Sequence, residues 1–272
     1  MIPRPVLSCG AALGLAAALL AAAAEAAEVR VVSSGGFAAA YRALAPAFER
    51  DTGHTLVAEW GPSMGHTPQA VPARLERGEP IDVVIMVGYA LDDLIAKGRV
   101  EAASRTPLAR SGIALAVRQG APTPEIGTLD DLRRTLLAAR SIAYSDSASG
   151  VYIRTEMFER LGIADAVAGK ARMIPAEPVG AVVARGEAEI GFQQVSELKP
   201  VAGITIVGLL PAEAQLYTEF SAGQVAGDKE PEAARALIRF LGSPAAARAI
   251  RESGMEPLTA ASGPASGSPA PR

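Results

Sequence analysis

The sequence predicts an α/β fold of two lobes, each a mostly parallel sheet flanked by helices. Three observations predict it. Strand-like and helix-like segments alternate from residue 29 onward, as parallel strands joined by covering helices do. Residues 81–87 form a continuous apolar run, as expected for a strand covered on both faces. Small or polar turns leave a strand and begin a helix at four places, and the carboxyl ends of strands are where open sheets receive ligands.

The elements follow in order. Residues 29–32 are a β-branched strand, and Ser33-Ser34-Gly35-Gly36 turns out of it. Phe37, Tyr41, Leu44 and Phe48 then recur at helical spacing, and Gly53 stops that helix. Residues 55–60 read as a second strand, 68–77 as a helix, 81–87 as the third strand and 89–97 as its helix. An apolar run at 112–117 starts a crossover into a second lobe. Thr128 caps a helix, with Asp131 three residues on. Strands at 141–144, 172–174 and 189–194 alternate with helices at 151–161 and 179–185. The chain is expected back in the first lobe at 204–209, and helices at 231–241 and 244–252 close it.

The expected organisation is therefore a signal peptide at 1–26, a first lobe at 27–110 and 204–257, a second lobe at 111–203, and a disordered tail at 258–272. Arg4 precedes a Leu/Ala/Gly run ending near an Ala24-Glu25-Ala26 cleavage triplet, so the reading is export to the periplasm with cleavage near Ala26. Cys9, the one cysteine, would leave with that leader. The mature chain would then have no disulfide, thiolate nucleophile or cysteine metal ligand. The Ala/Ser/Gly/Pro composition after Pro257 buries no core.

A net charge of −3 without a Lys/Arg cluster gives no sign of nucleic acid as a partner. An anion would have to be held by local dipoles rather than by the global field. No Walker loop, G-x-S-x-G elbow or H-E-x-x-H pair is present, and two histidines offer little for a metal site. No metal and no cofactor are expected, and the chain reads as a monomer.

The four turns supply the candidate ligands. At the first, Ser34, Gly35 and Gly36 open a helix whose N–H groups lack intrahelical partners, and glycine lets an anion approach them; plain helix capping is the other use of the serines. The second, Pro62-Ser63-Met64-Gly65-His66, offers the Ser63 hydroxyl and the backbone through Met64. His66 is either a charged donor and proton carrier or a solvent-facing histidine. The third, Ser145-Asp146-Ser147-Ala148-Ser149-Gly150 ahead of Val151-Tyr152, is the strongest anion signal, with Ser147, Ser149, Gly150 and Val151 as donors. Asp146 orients a donor, acts as a base, or serves the helix start. Arg154, one turn on, pairs with a carboxylate or points to water. The fourth is the bare backbone at Val179, with Gln193 and Gln194 at a strand end nearby; the amides bind ligand or solvate a sheet edge.

These turns, with Arg74-Leu75-Glu76-Arg77-Gly78-Glu79-Pro80-Ile81-Asp82 and Gly186-Glu187-Ala188-Glu189-Ile190-Gly191, resemble the periplasmic molybdate-binding proteins of ABC transporters across residues 28–257. That resemblance implies the two-lobed type II periplasmic binding-protein fold, with a ligand cleft between the lobes. It also implies an oxyanion held by two serines, two backbone N–H groups and a tyrosine. Here Ser63, Ser149-Gly150 and Val179 keep their places, but Gly36 stands where the first serine is expected and Gln194 where the tyrosine is expected.

A sharper likeness runs through Ser34-Gly35-Gly36-Phe37, Trp60-Gly61-Pro62-Ser63-Met64-Gly65, Tyr144 to Tyr152 and Gly191-Phe192-Gln193-Gln194, which resemble a branch of this family that includes aconitate isomerase. The expectation is a solute-binding protein that captures a small anion, a polycarboxylate rather than molybdate, for an ABC transporter permease. The alternatives are an aconitate isomerase on the same scaffold, with His66, Asp146 and Tyr152 as proton carriers, and a molybdate or tungstate binder.

Overall fold

The structure is a computed structural model, and it describes residues 26–65, 67–175 and 177–258. The expected leader and tail, with Cys9, and the candidate His66 lie outside the described residues. Among those described, no helix is long and apolar enough to cross a membrane.

The first sheet begins with β1 (Glu28–Ser33), whose end turns into α1 (Gly35–Thr52). The apolar positions read from the sequence, Phe37, Tyr41, Leu44 and Phe48, are the buried face of α1. Gly53 ends it in the left-handed conformation that only glycine adopts at low cost, at φ 75°. There follow β2 (Thr55–Trp60), α2 (Val71–Glu76), β3 (Val83–Val87) and α3 (Gly88–Ala96). Helix α2 starts three residues later than the pattern suggests.

The Arg74-to-Asp82 stretch ties this lobe together. Buried Arg74 pairs with Glu79 at 2.6 Å and with Glu59. Asp82 accepts the N–H groups of Arg30 (2.7 Å) and Lys229 (3.2 Å).

Strand β4 (Thr106–Ser111) leads across Gly112 into β5 (Ile113–Arg118) of a second sheet. That sheet adds α4 (Leu129–Ala138), β6 (Ile142–Ser145) and α5 (Ala148–Tyr152). Thr128 caps α4, its hydroxyl accepting the Asp131 N–H at 3.1 Å. Helix α5 runs on through a π-helical turn at Ile153–Met157 into α6 (Phe158–Arg160). Then come α7 (Ala164–Val167), β7 (Ala171–Ile174), α8 (Val179–Ala184), β8 (Ile190–Gln194), α9 (Val195–Leu198) and β9 (Ile204–Leu209). The chain crosses back at 210–217 into β10 (Thr218–Gln224), α10 (Pro231–Leu241), α11 (Ala247–Glu252) and β11 (Glu256–Pro257).

The strand orders are β11-β4-β10-β3-β1-β2 and β7-β6-β8-β5-β9. Two expectations are corrected here. Residues 204–209, placed in the returning segment, instead pair antiparallel with β5 in the second sheet. Their apolar run completes the edge beside β5, and the return is made by β10, whose Thr-Glu-Phe-Ser-Ala-Gly-Gln pattern is too weakly apolar to read as a strand. The sheets are also mixed rather than mostly parallel. β1 runs parallel to β2 and β3, and β6 runs parallel to β7 and β8. The strands adjoining the crossovers run antiparallel, β10 against β3 and β4, and β5 against β8 and β9, because each enters its sheet from the opposite direction.

Each sheet has its own core. Phe37, Phe48, Ile85 and Leu91 belong to the first, and Leu115, Leu132, Ile142 and Phe192 to the second. The two crossovers form the base of the cleft. There Gln215 holds Ile113 by both main-chain groups, accepting its N–H at 2.8 Å and donating to its C=O at 2.9 Å.

Candidate functional site

The carboxyl ends of β1, β2, β3, β6 and β8 converge on a cavity of about 270 Å³ between the two sheets. One wall is the first lobe's Ser34, Gly35, Gly36 and the 60–64 turn, and the facing wall is Asp146 to Ser149 with Gln194 and Glu197. Thr218 and Phe220 of β10 close the base.

Local packing explains why these turns carry small residues. A Cβ at Gly61 would meet the Gln69 carbonyl oxygen at 1.9 Å, and one at Gly150 would meet that of Ser145 at 1.6 Å. At Gly36 a Cβ would meet the tip of the Phe220 ring at 2.2 Å. The Phe220 ring therefore rests on the Gly36 backbone and leaves no room for a side chain there.

The donors are arranged in three groups. Ser34 Oγ is buried on the cavity wall with no hydrogen-bond partner among the described residues. Ser63 Oγ accepts the Val87 N–H at 3.0 Å, so its own proton remains to be donated elsewhere. Ser145, Ser147 and Ser149 form a hydroxyl ring, with Oγ separations of 2.7, 3.2 and 3.3 Å. Of these three, Ser147 and Ser149 face the cavity.

Gln194 also lines the cavity, but its amide serves the crossovers. The carbonyl accepts from Thr218 Oγ1 at 2.7 Å, and the nitrogen donates to the Ser111 and Gly112 carbonyls at 2.8 and 3.2 Å.

One residue that sequence reasoning missed is Glu197. It lies three positions beyond the end of β8, on the short α9. The Gln193 amide and the Gln194 N–H lie beside its carboxylate and favour the charged form. Glu197 is only half-buried as a residue, and it lines the cavity. Burial pushes its carboxyl up to about 7, and the Asp146 charge adds to that against the pull of the two donors. The strand-end rule that pointed to Gln193 and Gln194 would have reached Glu197 three residues later. Phe220 and Thr218 gave no local signal, because they come from the returning strand.

The remaining candidates are placed as follows. Ser34, Gly35, Gly36, Ser63, Met64, Asp146, Ser147, Ser149 and Gln194 are brought together on the cavity. Gly150, Val151, Tyr152, Arg154, Val179 and Gln193 are not on its wall. Tyr152 donates its hydroxyl to the Ala214 carbonyl at 2.9 Å and receives Arg160 at 3.3 Å, so its hydroxyl braces a crossover away from the cavity wall. Arg154 is exposed on the outer face of its helix, because the turn that buries Ile153 and Met157 directs it to solvent. Val151 is 46% exposed. The Val179 N–H is occupied by Gln193 Oε1 at 2.9 Å, so that pair caps α8 instead of meeting a ligand. No Lys or Arg lines the cavity among the described residues, and no cluster of His, Cys, Asp and Glu could hold a metal ion there.

Comparison with known proteins places this geometry. Residues 29–256 match the family described as bacterial extracellular solute-binding protein. The chain is 54% identical over 261 residues to an aconitate isomerase from a Pseudomonas species, covering 96% of this chain and 99% of that one. It is 27% identical over 248 residues to a molybdate-binding protein of Azotobacter vinelandii, covering 89% and 95%. Among solved structures, an Azotobacter vinelandii periplasmic molybdate-binding protein superimposes with a TM-score of 0.67 at 23% identity, covering 84% of this chain and 98% of that one.

Proposed function

The chain belongs to the bacterial extracellular solute-binding protein family, and from that premise we propose that its cleft binds a polycarboxylate and interconverts trans- and cis-aconitate in the periplasm. The observation that carries this reading is the cavity wall. Ser34 Oγ is buried without a partner among the described residues, and Ser63 has a proton left to give. A buried hydroxyl left unmatched is costly unless something occupies the space in front of it.

Size and donor count favour a polycarboxylate over a tetrahedral oxyanion. A water molecule takes about 30 Å³, so a cavity of about 270 Å³ has the volume of about nine waters, more than a single tetrahedral oxyanion fills. Gly36 gives no hydroxyl, and Gln194 spends its amide on the crossovers. An oxyanion would thus lose two donors, each worth about 1–3 kcal/mol to a charged group. The 54% identity to an aconitate isomerase supports the same substrate class.

The chemistry asked of such a cleft is modest. The methylene hydrogen of aconitate is both allylic and adjacent to a carboxylate. Its removal leaves an enolate-like anion, which hydroxyl and N–H donors stabilise. The wall serines and the start of α1 supply those donors without a cation.

A second reading is capture of the same anion for an ABC transporter permease. The paired crossovers at the base of the cleft favour it, since lobes that close on a solute need such a hinge. Thermal unfolding with molybdate, tungstate, citrate and both aconitates tests the ligand. Ligand that binds only the folded state raises the midpoint. The aconitates are expected to raise it and molybdate is not; a shift with molybdate alone would overturn the reading of Gly36 and Gln194.

A further inference from the structure

We propose that Glu197 is the catalytic base of this cleft: its carboxylate removes the allylic proton from the substrate's methylene carbon and returns it to the other end of the same three-carbon unit. The inference rests on the isomerase reading above and names its proton carrier.

Two geometric facts carry it. Glu197 lines the cavity from the second lobe, at the carboxyl end of β8. Across the cleft it abuts the start of α1, where a Cβ on Gly35 would come within 3.0 Å of Oε1. The carboxyl is thus clamped between the two lobes, beside the Ser34 hydroxyl at the same helix start.

Its acidity suits the task. A glutamate of ordinary strength is a poor base toward carbon, whereas one poised near neutrality combines basicity with a useful ionised fraction. Burial is the main cause of the rise to about 7. Asp146, on the β6–α5 turn of the same wall, adds to that rise, and the amide and N–H donors oppose it. A bound polycarboxylate, being negative, pushes in the same direction as Asp146.

The step closes without a co-reactant. The C–H bond at the methylene carbon breaks and its electron pair spreads over the allyl unit and the flanking carboxylates. Glu197 holds the proton as a carboxylic acid. Its O–H bond then breaks as a C–H bond forms at the former vinyl carbon, and the double bond is left between the central carbon and the former methylene carbon. Glu197 ends as it began, and nothing is oxidised or reduced.

The test uses the purified mature chain and its E197Q variant. It measures conversion of trans- to cis-aconitate, the pH dependence of kcat/KM, and the midpoint shift given by trans-aconitate. E197Q is expected to lose about 10²–10⁴-fold in kcat while keeping the ligand-induced midpoint shift. The unsubstituted protein is expected to lose kcat/KM tenfold per pH unit below about 7. If E197Q converts aconitate within threefold of the unsubstituted protein, the Glu197 assignment is wrong and the isomerase reading stands. If the unsubstituted protein binds aconitate but converts none at any pH, the isomerase reading falls and takes Glu197 with it. Should E197Q fail to melt cooperatively, the pH profile decides: a flat profile from pH 5 to 8 overturns the assignment.

Discussion

The acidity of Glu197 predicts how stability responds to pH, independently of any substrate. The folded protein holds the Glu197 proton more tightly than the unfolded chain does, since its carboxyl titrates at about 7 rather than at 4.5. Its contribution to stability is therefore full below about pH 4.5 and is lost as the pH rises through about 7. Each pH unit of that gap is worth about 1.4 kcal/mol, so the loss amounts to about 3 kcal/mol at pH 8. Glu197→Gln keeps the shape and removes the titration. Relative to the unsubstituted protein, the variant should be more stable at pH 8 than at pH 4.5 by about that amount. For a chain of this size, about 3 kcal/mol corresponds to about 6–12 °C in the unfolding midpoint. Thermal unfolding of both proteins at the two pH values, without ligand, measures the difference. A midpoint difference that does not change between pH 4.5 and pH 8 would refute the reasoning, because no carboxyl would then be losing its burial-raised proton in that interval.

Other substitutions follow from the same geometry. Ser34→Ala should leave the free protein as stable or slightly more so, because the buried hydroxyl has no partner among the described residues, yet it should shrink the aconitate-induced midpoint shift. Gly36→Ala drives a methyl into the Phe220 ring and should destabilise by about 1–3 kcal/mol; adding Phe220→Leu should recover part of that loss in a double-mutant cycle. Thr128→Ala removes the cap of α4 and should cost about 1 kcal/mol in urea unfolding without changing turnover, since α4 lies outside the cavity wall.

Much of the fold was legible because it is written in local patterns. The buried face of α1, the Gly53 stop and the Thr128 cap each follow from a few neighbouring residues. The strand-end turns of the site were legible for the same reason, since small residues there answer to backbone contacts such as Gly61 against Gln69. What depended on distant parts of the chain was not legible. Strand β9 is assigned by its pairing with β5, which no local pattern reveals. The Val179 N–H invites an anion until Gln193, fourteen residues away, is seen to fill it. Tyr152 looks like a proton carrier until its hydroxyl is found on Ala214. Glu197 is unremarkable in sequence, and burial between the two lobes is the main cause of its raised carboxyl.

The central claim is that this cleft moves a proton on a polycarboxylate as well as holding one. Incubating the purified protein with trans-aconitate in D₂O and following the proton spectrum tests it most directly. The expected result is growth of cis-aconitate signals to a fixed ratio, approached equally from either isomer and abolished by Glu197→Gln. Unchanged trans-aconitate in the presence of a protein whose midpoint it raises would contradict the claim and leave a binding protein in its place.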